Sequence, residues 1–588
     1  MDKYKWDLTK IFKNEEEYNN AKNEANSLCN EIIEYKGRIL ESSDSLLKFL
    51  ELDNRLDYLI EKLYIYSFLG YYDNMADVKF QKFKEEILAL ENKISSMTSF
   101  ITPELLSHKY SEVLELIDKD ERLKKYKLSL ERTFKYKDHT LSEKEEKLLS
   151  EASEILRIPS STFAALDNID VKYEKVIGED GKKTDLTVSN YGTFIQSRNR
   201  VTRKDAFKKL NKFYKEHINT ISNLYIGKVK SNGFISRARN YDSILDMYLF
   251  PDDVNSKLYN KLIKVTNKNT KSLKEYYKLK SKVLGYKLHM YDLYVNISKS
   301  LDKKIKYEEA IDIVNNALKP LGEDYLKVFN HLLNNHCVDV YPKDKKRGGA
   351  YEWGIYGVEP YVSLNYENDF DSVSTLAHEM GHAMHTYYSN KNQDFMYADY
   401  PIFLAEIAST VNEVLLSEYM LNNTKDKNEK IYYLVEFLDK FKGTVFRQVM
   451  FADFENIIHE KYENGESLTM ELLCDEYLKL NKKHFSPVIK VDEDIKYEWA
   501  RIPHFYTSFY VYKYATGFIS ALLIVDKLLN DSSFKDKYIK FLSSGNIDYP
   551  LNLLKELNID LTDEKVLNRA FEIFSEKLDM LKKLEKEE

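Results

Sequence analysis

Three cysteines in 588 residues, Cys29, Cys337 and Cys474, lie far apart and in no Cys-x-x-Cys spacing. They can build neither a disulfide framework nor a thiolate metal site, and a reducing compartment suits them. Basic charge is not in excess either: 88 Lys and Arg stand against 95 Asp and Glu, a formal net charge of −7. The two signs are interleaved and form no basic face, so nucleic acid is not an expected partner. Long apolar runs are also missing. The longest, Tyr514 to Val525, is about a dozen residues against the roughly 20 that span a bilayer. The stretch Met1 to Phe12 carries Asp2, Lys3, Lys5, Asp7 and Lys10 and no apolar core of the kind an export signal needs. The expectation is a cytoplasmic protein without membrane association.

What is present is an ordinary globular balance, 43% hydrophobic and 31% charged, which excludes a disordered or fibrous chain. From Glu15 to about Leu156 apolar residues recur at helical spacing, as in Leu56, Leu59, Ile60, Leu63, Tyr64 and Phe68. Between Val171 and Val188 the pattern changes to short β-prone runs around Glu179-Asp180-Gly181, a hairpin signal. A boundary near residue 195 is therefore expected, dividing a helical part, 1–195, from a second part, 196–588. Helical periodicity returns from Lys204 to Asn330. Val338 to Tyr341 and Glu359 to Tyr366, separated by a loop through Gly348-Gly349, read as a small sheet, and helices dominate again from Asp371.

The second part contains His378-Glu379-Met380-Gly381-His382, an HExxH pattern. Asp371 or Ser372 can cap a helix here, and Val373, Leu376, Ala377 and Met380 give it a face to bury. On a helix, positions four apart lie about 40° apart around the axis and about 6 Å along it, so both imidazoles can reach one ion. Glu379 falls beside the ion instead of onto it, where a base can take a proton from an attacking water.

A catalytic zinc needs a third protein ligand and one open position. Glu406 lies in Phe403-Leu404-Ala405-Glu406-Ile407-Ala408-Ser409, a lone carboxylate among apolar residues after Pro401, and is the expected ligand. Two imidazoles and a carboxylate suit zinc, one ion per chain, although cobalt or manganese could occupy the same ligands. His385 shares the face of the two histidines and is expected to pack or support them. Glu413 and Ser409, near Glu406 on the same helix, are open between supporting roles and the surface.

A further cluster of donors, His504, Tyr506, Tyr510, Tyr512 and Tyr514, crowds one turn-and-helix stretch. It reads either as aromatic core or as fixed donors for the negative charge that builds on a carbonyl oxygen during peptide hydrolysis. The edge of the strand within Glu359 to Tyr366 is a candidate place for an extended peptide to add by backbone hydrogen bonds, with a purely structural role as the alternative.

Read in order, Trp6-Asp7-Leu8, Phe234 to Tyr241, Gly349-Ala350-Tyr351, His378 to His385, Glu406 to Thr410 and His504 to Tyr514 resemble the thimet oligopeptidase family of metallopeptidases, closest to its bacterial oligoendopeptidase F branch. The resemblance covers essentially the whole chain. It implies a mainly α, zincin-like fold: a two-lobed helical ellipsoid with a deep central channel and a small β-sheet beside the metal helix. It also implies zinc on His378, His382 and Glu406, with Glu379 as catalytic base. His504 and one of Tyr506, Tyr510 and Tyr512 are then expected over the scissile carbonyl. Because the spacing differs from the mammalian branch, the hydroxyl is not assigned among the three.

The activity so implied is zinc-dependent endopeptidase cleavage of short, unfolded peptides. Two alternatives are weighed against it. A carboxypeptidase or dipeptidyl carboxypeptidase needs a cation for the substrate's terminal carboxylate, and Arg501 is the nearest candidate. A non-catalytic peptide-binding protein would keep zinc for structure alone, against which stand the intact Glu379 and the absence of an evident fourth ligand.

Overall fold

The computed structural model of the chain describes residues 2–298 and 303–586. Helices dominate and the strands are short, as the apolar periodicity requires. Contacts group the chain into two compact units that interleave in sequence. The first comprises Met1–Glu143, Asp302–Tyr419 and Ile524–Asn558, and the second Lys144–Leu301, Met420–Leu523 and Ile559–Glu588. Residue 195 falls inside the second of these. Each unit assembles non-consecutive segments, a property that periodicity, being local in sequence, does not carry.

In the first unit, α1 (Ser43–Asp73) begins where the Ser42 side chain accepts from the Ser45 backbone N–H. It buries Leu46, Leu56, Leu59, Leu63 and Leu69, and the same core takes in Tyr18 and Phe83, whose rings stack at 4.1 Å. Ile355 and Tyr361 join this core and so attach the sheet to it. Each such aliphatic or aromatic side chain contributes about 1.5–3 kcal/mol on burial.

The sheet has three strands, β1 (Val338–Asp339), β2 (Tyr351–Trp353) and β3 (Tyr361–Ser363), in the order β1-β3-β2. β1 pairs parallel to β3 and β2 pairs antiparallel to it, with Val362 opposite both Val338 and Glu352. The two anticipated strands are present, but β2 lies where the sequence reads as loop. Its presence corrects one expectation. β3 is the central strand with a neighbour on each side, so an added peptide finds no free edge there. The outer side of β1 meets the N-terminal segment, where Val340 N–H donates to the Tyr4 carbonyl at 3.0 Å and Asp7 N–H to that of His336 at 2.8 Å. β2 is the end strand.

Two helices follow in this unit, α2 (Phe370–Asn392) and α3 (Ile402–Asn423). The cap of α2 is Asp369, not Asp371 or Ser372: its extended backbone lets the carboxylate accept from Ser372 N–H at 2.8 Å. Ser372 is already within the first turn, and its hydroxyl accepts from Glu367 N–H at 3.0 Å.

The second unit holds the expected hairpin, Val176–Ile177 against Lys183–Thr184, turned through Gly181 at φ 78. Its core includes Phe441, Phe446, Phe571 and Phe574, whose ring centroids lie 4.9–5.6 Å apart. Two helices matter below, α4 (Gln448–Glu463) and α5 (Tyr512–Asn530), the latter belonging to this unit as far as Leu523. Among the described residues no helix is long and apolar enough to cross a membrane.

Candidate metal centre

α2 carries His378, Glu379 and His382, and α3 carries Glu406. Gly381 is what lets the two helices meet so closely. A Cβ at this position would lie 2.5 Å from Ser409 Cα and 2.7 Å from the Ala408 carbonyl oxygen, so any side chain would push α3 away. The crossing is fastened by Asn412, whose Nδ2 donates to the Ala377 carbonyl at 3.1 Å and whose Oδ1 accepts from Tyr325 OH at 3.2 Å.

The consequence is convergence. His378 Nε2 and His382 Nε2 are 3.3 Å apart, and Glu406 Oε2 lies 3.5 Å from the first and 3.7 Å from the second. Among the described residues these three form the group of His, Cys, Asp and Glu able to hold a metal ion. A tetrahedral ion with ligand bonds of about 2.0–2.1 Å separates its donors by about 3.4 Å. The three distances fit that edge length, so the donor set suits zinc in geometry as well as in chemistry.

Supporting contacts come from α3. Glu413, two turns beyond Glu406, places Oε1 3.4 Å from His378 Nδ1, which turns the Nε2 of that ring toward Glu406. The one proton of the Ser409 hydroxyl is shared between the Glu406 backbone carbonyl at 3.1 Å and Glu406 Oε2 at 3.3 Å. His385 is buried and stacks on Tyr400 at 3.6 Å, a packing role as expected. Burial lowers its pKa to about 3.

The charges of the centre follow from burial and proximity. Burial pulls the His378 pKa down, but the hydrogen bond and charge of Glu413, with the charges of Glu379 and Glu406, outweigh it and raise the value. His382 is lowered to about 3 by burial and by the neighbouring His378. Both effects keep His382 a neutral donor. Glu379 is buried, and burial raises its carboxyl to about 7, against the attraction of His378 and with the repulsion of Glu406 and Glu413. A carboxylate held near neutrality can both accept and return a proton.

The second unit contains the tyrosine segment. His504 Nε2 lies 3.4 Å from Tyr514 OH, and the Tyr510 and Tyr514 rings are 5.4 Å apart. Tyr506 instead stacks on Phe163 at 4.2 Å with its hydroxyl buried, and Tyr512 is fully buried with its hydroxyl on Asp252 Oδ2 at 3.3 Å. The structure thus groups His504 with Tyr510 and Tyr514 and turns Tyr506 and Tyr512 inward. The turn accounts for this: Tyr510 follows Phe509, whose backbone is left-handed, and precedes α5, whereas Tyr512 is the first residue of that helix. Arg501 donates to Glu498 Oε1 at 2.9 Å, beside Arg447, so its guanidinium is engaged within the protein.

Gly381, Asn412 and β2 did not emerge from the sequence reading. A glycine between the two histidines was the available sign for the first, since only a close helix approach needs one there. The geometry agrees with comparisons to known proteins. The pattern of Peptidase family M3 matches residues 193–573, and that of Oligopeptidase F matches residues 104–173. Oligopeptidase PepF of Bacillus subtilis is 38% identical over 581 residues, 98% of this chain and 87% of that protein. An oligoendopeptidase F homolog of Lactococcus lactis is 37% identical over 586 residues, 99% of this chain and 97% of its own. Among solved structures, oligoendopeptidase-F from Enterococcus faecium superposes with a TM-score of 0.76 at 31% identity, covering 97% of this chain and 99% of that one. A crystal structure from Chlamydophila abortus gives 0.92 at 33%, over 99% and 98% of the two chains. With its helical fold, its His-Glu-His helix and its similarity along nearly the whole length, the chain belongs to peptidase family M3, as a metallo-endopeptidase of the oligoendopeptidase F type.

Proposed function

We propose that the chain is a zinc-dependent endopeptidase that hydrolyses internal bonds of short, unfolded peptides, with one zinc held by His378, His382 and Glu406 and with Glu379 as general base. The observation that carries this reading is the triangle of 3.3, 3.5 and 3.7 Å between the three donor atoms. A bound zinc supplies Lewis acidity, which polarises a carbonyl and lowers the pKa of water. Glu379 takes a proton from the attacking water as the C–O bond forms. It returns that proton to the amide nitrogen as the C–N bond breaks, and the second proton of the water also passes to the leaving nitrogen, so that the products are a carboxylate and an ammonium group. His504 and a tyrosine hydroxyl of the same segment donate hydrogen bonds to the carbonyl oxygen as its charge grows. Tyr510 and Tyr514 are better supported in that role than Tyr506 or Tyr512 by their contact with each other and that of Tyr514 with His504.

The peptide adds as a strand to β2, the end of the sheet, and its backbone bonding makes selection by sequence weak. The names of the relatives, oligopeptidase and oligoendopeptidase F, support short substrates. Division near residue 195 into an N-terminal part and a catalytic part belongs to the same reading, supported by the M3 match beginning at residue 193. So does cytoplasmic residence, supported by three free, buried cysteines.

The test joins metal analysis to peptide cleavage. Chelation should abolish cleavage and zinc should restore it. Glu379→Gln should keep the zinc and the fold while lowering kcat by about 10²–10⁴. Normal hydrolysis by that variant would remove Glu379 from the mechanism.

A further inference from the structure

Among the described residues, seven other than glycine adopt a positive φ: Asn240, Asp253, His336, Lys345, Asn368, Phe509 and Asn558. Phe509, at φ 55, is the one with an apolar side chain. Asn and Asp enter the left-handed region through local hydrogen bonding, but a bulky residue stays there only where its surroundings enforce it. Phe509 stands immediately before Tyr510, within the segment assigned above to the substrate carbonyl.

Two contacts enforce the turn. The Phe509 ring is buried against His459 at 4.7 Å, Tyr248 at 5.6 Å and Tyr259 at 5.7 Å. Its backbone N–H donates to Glu455 Oε1 at 2.8 Å. Glu455, on α4, is 1% exposed, and its Oε2 has no hydrogen-bond partner among the described residues. Burial raises its carboxyl to about 8, against the Phe509 N–H and the charge of Lys228. The neutral acid still offers a carbonyl oxygen to that N–H. A buried carboxyl with one hydrogen bond is a costly group, and here the one bond falls on the strained residue.

Further hydrogen bonds hold the residue before the turn. Asn232 Nδ2 donates to Ser508 Oγ at 2.9 Å and to His459 Nε2 at 3.1 Å, and Tyr248 OH donates to Asn232 Oδ1 at 2.9 Å. His459 Nδ1–H donates to the Glu455 backbone carbonyl at 2.8 Å, a neutral tautomer in keeping with a pKa that burial lowers to about 4. Beyond the turn, the Tyr510 ring faces Tyr514, whose hydroxyl meets His504.

We propose that Glu455 is a positioning residue for the reaction: by accepting the Phe509 N–H it holds the left-handed turn and so fixes the direction in which Tyr510 and Tyr514 present their hydroxyls. This rests on the reading of His504, Tyr510 and Tyr514 as donors to substrate.

The test compares Glu455→Gln, which keeps an acceptor, with Glu455→Met, which fills the space without one, in the zinc-loaded full chain. Glu455→Met should lose roughly 100-fold in kcat with KM little changed. Glu455→Gln should stay within about threefold of the parent. When Tyr510 and Tyr514 are both phenylalanine, Glu455→Met should add almost nothing, whereas a merely structural defect would add in full. Phe509→Ala, which lacks the buried ring that anchors the turn, should show the same kcat-selective loss and serves if Glu455→Met does not fold. Equal damage by Glu455→Gln and Glu455→Met, an additive loss in the tyrosine-free background, or full activity of Phe509→Ala would each overturn the proposal. Full activity of the Tyr510→Phe/Tyr514→Phe protein by itself would instead remove the reading on which it rests.

Discussion

Two buried carboxylates, one in each unit, behave in opposite ways. Glu379, beside the two histidines of α2, is raised by burial to about 7. Glu498, in the second unit, is equally withdrawn from solvent, yet Arg447 and Arg501 outweigh its burial and lower it to about 2. Tyr477 OH also donates to it at 2.7 Å, and Arg447 Nη2 at 2.8 Å. Burial is common to the two sites, and the neighbours decide the outcome. A carboxylate fixed by guanidinium groups holds structure and cannot accept a proton near neutrality. One whose burial and acidic neighbours are opposed by the charge of His378 alone stays basic enough to accept a proton near neutrality.

The contrast can be broken most strongly at Glu498. Glu498→Gln leaves two guanidinium groups, 17% and 23% exposed, without their shared buried counter-charge and should cost about 3 kcal/mol of stability, read by denaturant unfolding. The pH dependence has a definite sign. Because the folded value is depressed from 4.5 to about 2, the stabilisation is present above pH 4.5 and is lost as pH falls through that window. The gap between parent and variant should therefore close on acidification. A gap that stayed constant would show that the ion pair is not its source.

Smaller changes sharpen the other side of the comparison. Glu413→Ala removes the carboxylate that orients His378 and should weaken metal affinity about 10–100-fold, measured by competition with a chelator, without unfolding the chain. Ser409→Ala removes one hydrogen bond to Glu406 and should cost about 1 kcal/mol, roughly fivefold in the same assay. An Ser409→Ala effect larger than that of Glu413→Ala would mean that Glu406, not His378, is the residue most dependent on outside support.

The candidate metal centre was legible because much of it is local. Helical spacing brings His378 and His382 to one side, and a lone acid in an apolar helix marks Glu406. The third strand was not legible: Tyr351 to Trp353 follows a Gly-rich loop and is only three residues long, too short for alternation to register. Its absence from the sequence reading made the central strand β3 look like an edge. The tyrosine segment was legible in composition but not in direction, since side chains two and four residues apart part company only once the turn at Phe509 is known.

By itself the sequence determined a helical chain, the helix that bears the HExxH residues and the acid that completes their triangle, because these follow from spacing along one helix and from the cost of an unpaired carboxylate. Only the tertiary structure decided that Gly381 admits α3, that Glu413 rather than His385 meets His378, which tyrosines face His504, and how discontinuous segments combine into two units. Those outcomes depend on contacts between residues far apart in the chain, where packing and the sharing of buried charge are settled by the partner that arrives and not by the neighbour in sequence.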